Sequence, residues 1–316
     1  MPDPIAGLHH VTAIASDPQQ NLDFYTELLG LRFVKRTVNF DDPNTYHFYF
    51  GDRLGHPGTI ITFFPWPNAR HGRIGTGQVV VTSYAIAPGA TDYWKERFKE
   101  RGVDVVETGK RFGEAFIRFH DPDGLVLELI ESDSANGGDR WEKSSVPSEF
   151  AATRFHAPSL ASEDREATTQ LLTTLFGFEI AGRDGDRTRL AVLPGAPDGH
   201  IDLVDYPGNR PGRVLAGTVH HIAFRAKDES EQEHWRSKLY EAGLHVTPII
   251  DRQYFHSVYF REPGGILFEI ATEKPGFAAD ESPEHLGESL KLPPQYEDYR
   301  RDIEASLPAI TLPHLA

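Results

Sequence analysis

Two adjacent histidine pairs and one late carboxylate are the residues of this sequence best suited to chemistry. The pairs are His9-His10 and His220-His221, and the carboxylate is Glu269. Imidazole and carboxylate groups together suit a divalent transition metal. Because the chain of 316 residues contains no cysteine, any metal must be held by His, Asp or Glu. The pattern predicts a metal site, provided that the fold brings these distant residues together.

The stretch 217–272 shows which elements would position the later pair and Glu269. It opens and closes with apolar and aromatic runs that are typical of strands. Between them lies an amphipathic run, 231–241, which predicts a helix ending before Gly243. If the first and last strands lie side by side in one curved sheet, His221 and Glu269 can face one another.

The rest of the chain contains three divergent repeats of this unit. We assign the four units to residues 7–66, 77–131, 152–206 and 217–272. The predicted helices, each followed by a glycine, are 20–29, 90–101, 163–176 and 231–241. Units two and four match without gaps in two places, from Trp94 and Trp235 onward and again up to Glu128 and Glu269. Such a unit cannot bury its sheet face alone. The repeat therefore predicts an α+β fold of four βαβββ modules that form two curved-sheet halves.

The same repeat divides the chain into segments. We predict an N-terminal half at 1–135, a polar linker at 136–150 and a C-terminal half at 151–273, each half containing two modules. The tail, 274–316, is rich in proline and acidic residues but has apolar stretches near both ends of a possible short helix at 295–306. Such a segment is too apolar to stay free in solvent, so we expect it to pack on the body.

Composition restricts the partners of this protein. The hydrophobic content of 39% and the charged content of 25% are those of a soluble globular protein. The net charge of −15 repels phosphate backbones and argues against nucleic acid. No run approaches the roughly 18 apolar residues of a membrane span, and the N-terminus lacks signal-peptide features. We therefore expect a cytoplasmic protein without membrane contact, and homo-oligomerisation stays open.

The repeat offers two candidate ligand positions in each unit. The first-strand positions hold His10, Val81, His156 and His221, and the last-strand positions hold Thr62, Glu128, a residue at or near Asp202, and Glu269. A site of two His and one carboxylate leaves coordination positions open for substrate and oxygen. Units one and four supply such a set, and so do units three and four, with His156 in place of His10. Neighbours in sequence usually pack together, so counting ligands leaves both sets open.

An ordered series of motifs resembles a known family. The series is Leu8-His9-His10-Val-Thr12, Arg32-Phe33-Val-Lys35-Arg-Thr37, Tyr46-His47-Phe-Tyr49-Phe50, Pro57-Gly58-Thr59, Tyr84-Ala85-Ile86, Arg111-Phe112-Gly113, His220-His221, Pro263-Gly264-Gly265 and Gly276-Phe277. It resembles the vicinal-oxygen-chelate superfamily, which includes glyoxalase I and the extradiol dioxygenases. Within that superfamily it is similar to the hydroquinone and chlorohydroquinone ring-cleaving dioxygenases. The resemblance covers nearly the whole chain, tail included.

The resemblance implies a specific site and reaction. The metal ligands would be His10, His221 and Glu269, so units one and four would pair and units two and three would form the other half. The metal would be Fe(II), with Mn(II) as a substitute, and the reactants would be a hydroquinone-like aromatic and O2, cleaved in the extradiol manner. Residues near the substrate would be Thr12, His220, Arg252 and Tyr259, with His9 as a further candidate.

Physical chemistry suggests what these neighbours would do. Arg252 could hold an anionic oxygen as a fixed charge, Tyr259 could donate a hydrogen bond, and His220 could move protons near neutral pH. Because successive strand residues point to opposite faces, at least one histidine of each pair should not be a ligand, unless a β-bulge intervenes. His156, Glu128 and Asp202 would then lie in a second cleft without metal.

Two other functions suit the same scaffold. One is a glyoxalase-like isomerase or lyase that uses Zn or Ni and consumes no oxygen. The other is a metal-free protein that binds a small molecule. Fold alone does not decide among the three functions.

Overall fold

The four repeats fold as predicted, into two curved sheets of eight strands each. The computed structural model describes residues 4–192 and 199–313. Module one contains β1 (Leu8–Ala15), α1 (Pro18–Asp23), β2 (Arg32–Asn39), β3 (Asp42–Gly51) and β4 (Ile60–Pro65). Module two contains β5 (Gln78–Ile86), α2 (Thr91–Glu100), β6 (Val105–Arg111), β7 (Glu114–His120) and β8 (Val126–Glu131).

The second half of the chain repeats this order. Module three contains β9 (Ser159–Ala161), α3 (Arg165–Gln170), β10 (Glu179–Asp184), β11 (Arg187–Ala191) and β12 (His200–Leu203). Module four contains β13 (Thr218–Ala226), α4 (Glu229–Glu241), β14 (Ile250–Asp251), β15 (Phe255–Arg261) and β16 (Leu267–Pro275). The α+β class with four βαβββ modules is therefore confirmed.

The sheets pair modules that are not neighbours in sequence. The first sheet has the strand order β14-β15-β16-β13-β1-β4-β3-β2, and the second has β10-β11-β12-β9-β5-β8-β7-β6. Modules one and four thus share the first sheet, as the resemblance implied, and modules two and three share the second. Each sheet takes one module from each predicted half of the chain, so the segments 1–135, 136–150 and 151–273 describe chain order rather than sheet membership.

Each sheet is joined at its centre by the first strands of two modules. β1 and β13 pair antiparallel in the first sheet, and β5 and β9 do so in the second. All eight residues of β1 are buried, because this central strand is covered on both faces. A first strand also pairs in parallel with the last strand of its own module, as β1 does with β4 and β13 with β16. This arrangement brings first-strand and last-strand side chains of two modules to one concave face.

The helices bury equivalent residues in the repeats. Trp94 on α2 and Trp235 on α4, aligned by the repeat, are 0% and 1% exposed. The side chain of Asp17 accepts hydrogen bonds from two backbone N–H groups and caps the start of α1. Both α1 and α3 continue as a π-helical turn, Phe24–Leu28 and Leu171–Leu175. The helical segments therefore end close to the predicted glycines.

The tail crosses an edge of the first sheet. The backbone N–H of Lys291 donates to the carbonyl of Arg36 on the edge strand β2, at 2.9 Å. The Tyr46 hydroxyl donates to the carbonyl of Pro308 at 3.0 Å. A 3-10 turn (Pro294–Tyr299) leads into α5 (Arg300–Ser306), close to the predicted short helix. The tail thus covers backbone groups that an edge strand would otherwise expose. Among the described residues, no helix has the length and apolar character that crossing a membrane requires.

Candidate metal centre and substrate cavity

Strand register brings the second histidine of each pair to the centre of the first sheet. β1 and β13 place Thr12 opposite His221 and His10 opposite Ala223. His10 lies two residues before Thr12, which faces His221. In the same way, His221 lies two residues before Ala223, which faces His10. The two histidines therefore occupy equivalent positions of modules one and four.

The last strands extend this approximate twofold relation to a second pair of positions. Glu269 on β16 pairs with Ala223, and Thr62 on β4 pairs in the same way with Thr12. The equivalent position thus holds a carboxylate in module four and an uncharged hydroxyl in module one. The sheet therefore presents two imidazoles, one carboxylate and an uncharged fourth corner.

His10, His221 and Glu269 converge on one point. His10 Nε2 lies 3.2 Å from His221 Nε2 and 3.3 Å from Glu269 Oε2. His221 Nε2 lies 2.9 Å from the same carboxylate oxygen. Ligand atoms that sit about 2.1 Å from a shared cation at right angles lie about 3 Å from one another. The three atoms thus have the spacing of one face of an octahedral metal site.

Glu269 is ionised and has one oxygen free for a cation. Its Oε1 accepts a hydrogen bond of 2.5 Å from Ser257, whereas the buried Oε2 has no hydrogen-bond partner among the described residues. Burial alone would raise the pKa of this carboxyl, but the neighbouring His10 and His221 hold it well below its ordinary range. The positive charge that stabilises this carboxylate comes either from the two imidazoles, if they are protonated, or from a metal ion that replaces their Nε2 hydrogens.

The first member of the earlier pair orients its neighbour. His9 Nε2 lies 3.1 Å from the carbonyl of Thr272, so this nitrogen must carry the hydrogen. Burial, together with the nearby His10, lowers the pKa of His9 to about 3, so the ring is neutral and its Nδ1 is an acceptor. His10 Nδ1, 2.9 Å away, then donates to it. This chain leaves the lone pair of His10 Nε2 for the metal.

The later pair repeats the contact between neighbouring rings. His220 Nδ1 lies 2.8 Å from His221 Nδ1. If His221 donates, its Nε2 is left for the metal and His220 carries its hydrogen on Nε2. Burial, and next the charge of His221, lowers the pKa of His220 to about 3. At such a pKa His220 is neutral at pH 7 and acts as a hydrogen-bond partner, whereas its part in proton transfer stays a prediction.

Local irregularities in the strands explain why both members of a pair lie near the site. The pairing of β1 with β13 shifts register between Leu8 and His10 and again between Thr12 and Ala13. Such bulges relax strict alternation of side chains. His9 is 2% exposed and lies beside the His10 ring, with ring centres 5.0 Å apart. The structure thus places one histidine of each pair at the convergence point, with His9 behind it and His220 beside it in the cavity wall.

A cavity of about 290 Å³ is lined by two of the three converging residues, His10 and His221. This volume is at the lower end of the range for small-molecule sites. Its wall combines aromatic, polar and charged groups: His10, Thr12, Asn39, Phe40, Asp41, His47, Tyr49, Phe64, Trp66, His220, His221, Thr247, Arg252, Phe255, Tyr259 and Leu267. Four of the five residues expected near the substrate, Thr12, His220, Arg252 and Tyr259, belong to this wall, whereas His9 lies behind it.

Arg252 and Tyr259 supply a fixed positive charge and a hydrogen-bond donor. The guanidinium carbon of Arg252 lies 5.5 Å from the centre of the Tyr259 ring, and its Nη1 lies 3.2 Å from Asp41 Oδ2. Burial alone would lower the pKa of Arg252, but Tyr259 and Asp41 raise it above its ordinary value. Burial and the charge of Glu269 raise the pKa of Tyr259, so its phenol keeps its proton. Both groups are suited to hold an anionic ring oxygen.

A buried hydrogen-bonded chain, which sequence reasoning missed, leads from the cavity to the fourth corner of the site. Tyr49 Oη lies 2.9 Å from His47 Nδ1, and His47 Nε2 lies 2.8 Å from Thr62 Oγ1. Thr62 Oγ1 in turn lies 2.9 Å from Thr12 Oγ1. The repeat directed attention to first and last strands, whereas His47 and Tyr49 lie on the middle strand β3. In the sequence Tyr46-His47-Phe-Tyr49-Phe50, the polar residues His47 and Tyr49 are two positions apart, so on a strand they point to the same face. This spacing could have indicated that both side chains lie at the site.

In the second sheet, the carboxylates at the equivalent positions form ion pairs. Glu128, at the position equivalent to Glu269, lies 2.5 Å from Arg111 and 2.8 Å from Arg118. Asp202 lies 2.8 Å from Arg189 Nε. Guanidinium groups therefore supply the positive charge that these buried carboxylates require. Among the described residues, His10, His221 and Glu269 form the one cluster with metal-ligand spacing.

His156 does not occupy the first-strand position that the repeat assigned to it. Asp202 pairs with Ser159, so the residue two positions earlier, Ala157, is the equivalent of His221. His156 precedes β9 and lies 2.8 Å from Glu114 Oε1. The positive φ of 53° at Ala157 redirects the chain before the short strand, which shifts the register by one residue. The rival ligand set of modules three and four is therefore wrong, because those modules lie in different sheets.

Comparisons with known proteins agree with this architecture. The family model described as the Glyoxalase/Bleomycin resistance protein/Dioxygenase superfamily matches residues 7–129 and 154–270. MhqO of Bacillus subtilis, named as a candidate ring-cleaving dioxygenase, is 48% identical over 301 residues, which cover 95% of each chain. The chlorohydroquinone/hydroquinone 1,2-dioxygenase of Sphingobium indicum is 36% identical over 311 residues, which cover 96% of each chain.

A solved structure shares the fold over the whole chain. The crystal structure of a candidate dioxygenase from Bacillus subtilis superposes with a TM-score of 0.93 at 47% identity, and covers 98% of this chain and 99% of that one. The similarity thus includes both sheets and the tail.

Proposed function

Because the chain belongs to the Glyoxalase/Bleomycin resistance protein/Dioxygenase superfamily, and within it to the ring-cleaving dioxygenases, we propose that it is an Fe(II)-dependent enzyme that opens a hydroquinone-like ring with O2. The proposed reaction is of the extradiol type, and Mn(II) is an alternative metal. The reactants are a small aromatic and O2. The observation that carries the proposal is the convergence of His10, His221 and Glu269, of which the two histidines line a cavity of about 290 Å³.

The ligand set suits this chemistry. Two imidazoles and one carboxylate are the donors typical of non-heme Fe(II) oxygenases and leave coordination positions open. Fe(II) bound there would supply one-electron chemistry between a ring oxygen and O2. The uncharged Thr62 at the fourth corner adds no further anionic donor, so the site stays open toward the cavity.

The wall of the cavity would bind and orient the ring. Arg252 would hold an anionic ring oxygen by charge, and Tyr259, which keeps its proton, would donate a hydrogen bond to it. Phe64 and Phe255 provide apolar surfaces for the ring and help to exclude water.

Two further wall residues would donate hydrogen bonds near the metal. His220 Nε2–H can donate to an oxygen in the cavity, because its Nδ1 faces His221. Thr12 presents a hydroxyl that is already hydrogen-bonded to Thr62 at 2.9 Å. His9 would act through His10 by keeping that ligand in the tautomer that binds metal.

The test measures metal content and oxygen uptake on the same purified protein. Fe(II)-loaded protein should consume O2 with at least one of hydroquinone, chlorohydroquinone and methylhydroquinone. The variant His10→Ala should lose both metal and uptake, whereas His156→Ala, in the other sheet, should keep its metal. If the wild-type protein retains metal but consumes no oxygen, an isomerase or lyase is favoured. If the wild-type protein holds no metal, a binding protein is favoured. Either result would overturn the proposal.

A further inference from the structure

The turn that carries Arg252 has little support from its own sheet. It connects β14, a strand of only two residues, to β15; β14 pairs through Ile250 and Asp251, and the backbone N–H of Arg252 adds one hydrogen bond to the carbonyl of Phe255 at 2.9 Å. Gln253 in this turn has a φ of 68°, in the left-handed region that non-glycine residues rarely adopt. Arg252 in this turn and Phe255 at the start of β15 both line the cavity, so contacts that other segments make with the turn bear directly on the shape of the site.

The carboxylate of Asp280, in the tail, binds this turn. Asp280 Oδ2 accepts hydrogen bonds from Gln253 Nε2 at 2.8 Å and from the Tyr254 hydroxyl at 3.0 Å. Its Oδ1 lies 2.6 Å from Lys35 Nζ, whose side chain is 0% exposed. The two residues that follow Arg252 are thus fixed to one carboxylate, and that carboxylate is fixed to a buried cation of β2.

Apolar contacts join the same part of the tail to the cavity wall. The ring of Phe277 lies 5.0 Å from Tyr49 and 5.2 Å from Tyr254, measured between ring centres. Phe277 and Leu286 belong to a small buried cluster that also contains the wall residue Phe255. The backbone N–H of Gly276 donates to the Tyr254 carbonyl at 2.8 Å. The beginning of the tail is therefore built into the back of the site.

We propose that Asp280 is a positioning residue, which holds Arg252 where its guanidinium meets the anionic oxygen of the aromatic substrate. The inference rests on the role of Arg252 under the proposed function. It extends the site to a tail residue that lies outside the cavity and does not contact the substrate.

Glu281 provides a matched control. Its Oε2 lies 2.5 Å from the same Lys35 Nζ, but its other hydrogen bonds come from the backbone of Gly287 and Ser289 in the tail. Asp280→Asn and Glu281→Gln each remove one negative charge from Lys35. Because Lys35 is a buried cation, the remaining carbonyl oxygen of Asn should stay beside it, so an amide NH2 replaces Oδ2. The two hydrogen bonds to a charged acceptor are then lost, and neutral ones can replace them only if the Gln253 amide flips and the Tyr254 hydroxyl turns to accept. Only Asp280→Asn should therefore release the turn.

The experiment measures binding of an anion and of an uncharged aromatic of similar size by calorimetry. The probes are 4-nitrophenolate and nitrobenzene, titrated into Mn(II)-loaded full-length protein whose melting curve has been recorded. We expect Asp280→Asn to weaken phenolate binding about tenfold, which corresponds to about 1.4 kcal/mol, and to change nitrobenzene binding less than twofold. Glu281→Gln should leave both affinities within twofold.

A double-mutant cycle separates positioning from general damage. In the background of Arg252→Met, which itself should weaken phenolate binding, Asp280→Asn should have no further effect, because the group that it positions is gone. Equal losses in Asp280→Asn and Glu281→Gln, or additive losses in the double variant, would overturn the inference. The proposed function fails in a different measurement: the wild-type protein would then consume no oxygen with any of the hydroquinones.

Discussion

Replacing His9 with phenylalanine should weaken metal binding although His9 is not a ligand. His9 accepts from His10 Nδ1 at 2.9 Å and donates to the carbonyl of Thr272 at 3.1 Å. A phenyl ring keeps the shape and the contact with Phe255, whose ring centre lies 5.1 Å away, but removes both hydrogen bonds. His10 is then free to carry its hydrogen on Nε2, the nitrogen that the metal needs. Loss of such an outer partner typically costs 10- to 100-fold in metal affinity, about 1.4–2.7 kcal/mol.

The assay is competition with a chelator, followed by metal analysis, with Mn(II) as the metal. The control is His156→Phe, since His156 is also buried at 1% exposure and hydrogen-bonded, to Glu114 and Ser134, but lies in the other sheet. Both variants should lose some thermal stability, and only His9→Phe should lose metal affinity. If His9→Phe binds Mn(II) within twofold of the wild type, the imidazole chain does not set the tautomer of His10.

Two further predictions concern a buried hydroxyl and a buried carboxyl. Thr62→Val should lower the turnover of oxygen uptake about tenfold without changing metal content, because it interrupts the hydrogen bonds to Thr12 and His47. Thr62→Ser, which keeps the hydroxyl, should have the wild-type rate. Equal rates in the two variants would contradict a role for the hydroxyl. Burial raises the pKa of Asp121 from its ordinary value of 3.8 to about 7, so its contribution to stability is fully present below about pH 4 and is lost as the pH rises through 7. Asp121→Asn should therefore gain stability relative to the wild type between pH 5 and pH 8, by up to about 4 kcal/mol in urea unfolding; a difference that stays constant with pH would show that Asp121 does not titrate there.

The repeat was sufficient to predict the fold but not the ligand set. Local patterns indicate strands and helices because each module obeys the same periodicities. The choice between His10 and His156 depended on which modules share a sheet, and that is decided by contacts between residues more than 200 positions apart, such as His10 with Ala223. The family resemblance supplied this information, whereas residue spacing did not.

Two structural features could not be predicted from the sequence, because they depend on backbone geometry. The register of β9 depends on the positive φ of Ala157, which nothing in the residue type indicates, so His156 was placed one position away from the equivalent residue. Asp280 reaches the turn after Arg252 only because of the path by which the tail returns to the body. The amphipathic pattern of the tail predicts that it packs on the body, but not this path. Positions within one strand are thus easier to predict than positions fixed by a turn or by a returning tail.

The two sheets provide different cations for carboxylates at equivalent positions. In the first sheet, Glu269 faces two imidazoles and has one oxygen without a hydrogen-bond partner among the described residues, so an exogenous metal ion can complete the charge balance. In the second sheet, valine and alanine, Val81 and Ala157, stand where the histidines would be, and Glu128 is neutralised by arginine side chains. A guanidinium is permanently charged and attached to the chain, so it balances the carboxylate without a metal ion. The duplicated fold therefore places the last-strand carboxylate beside two imidazoles in one sheet and beside guanidinium groups in the other, and only the first arrangement has metal-ligand spacing among the described residues.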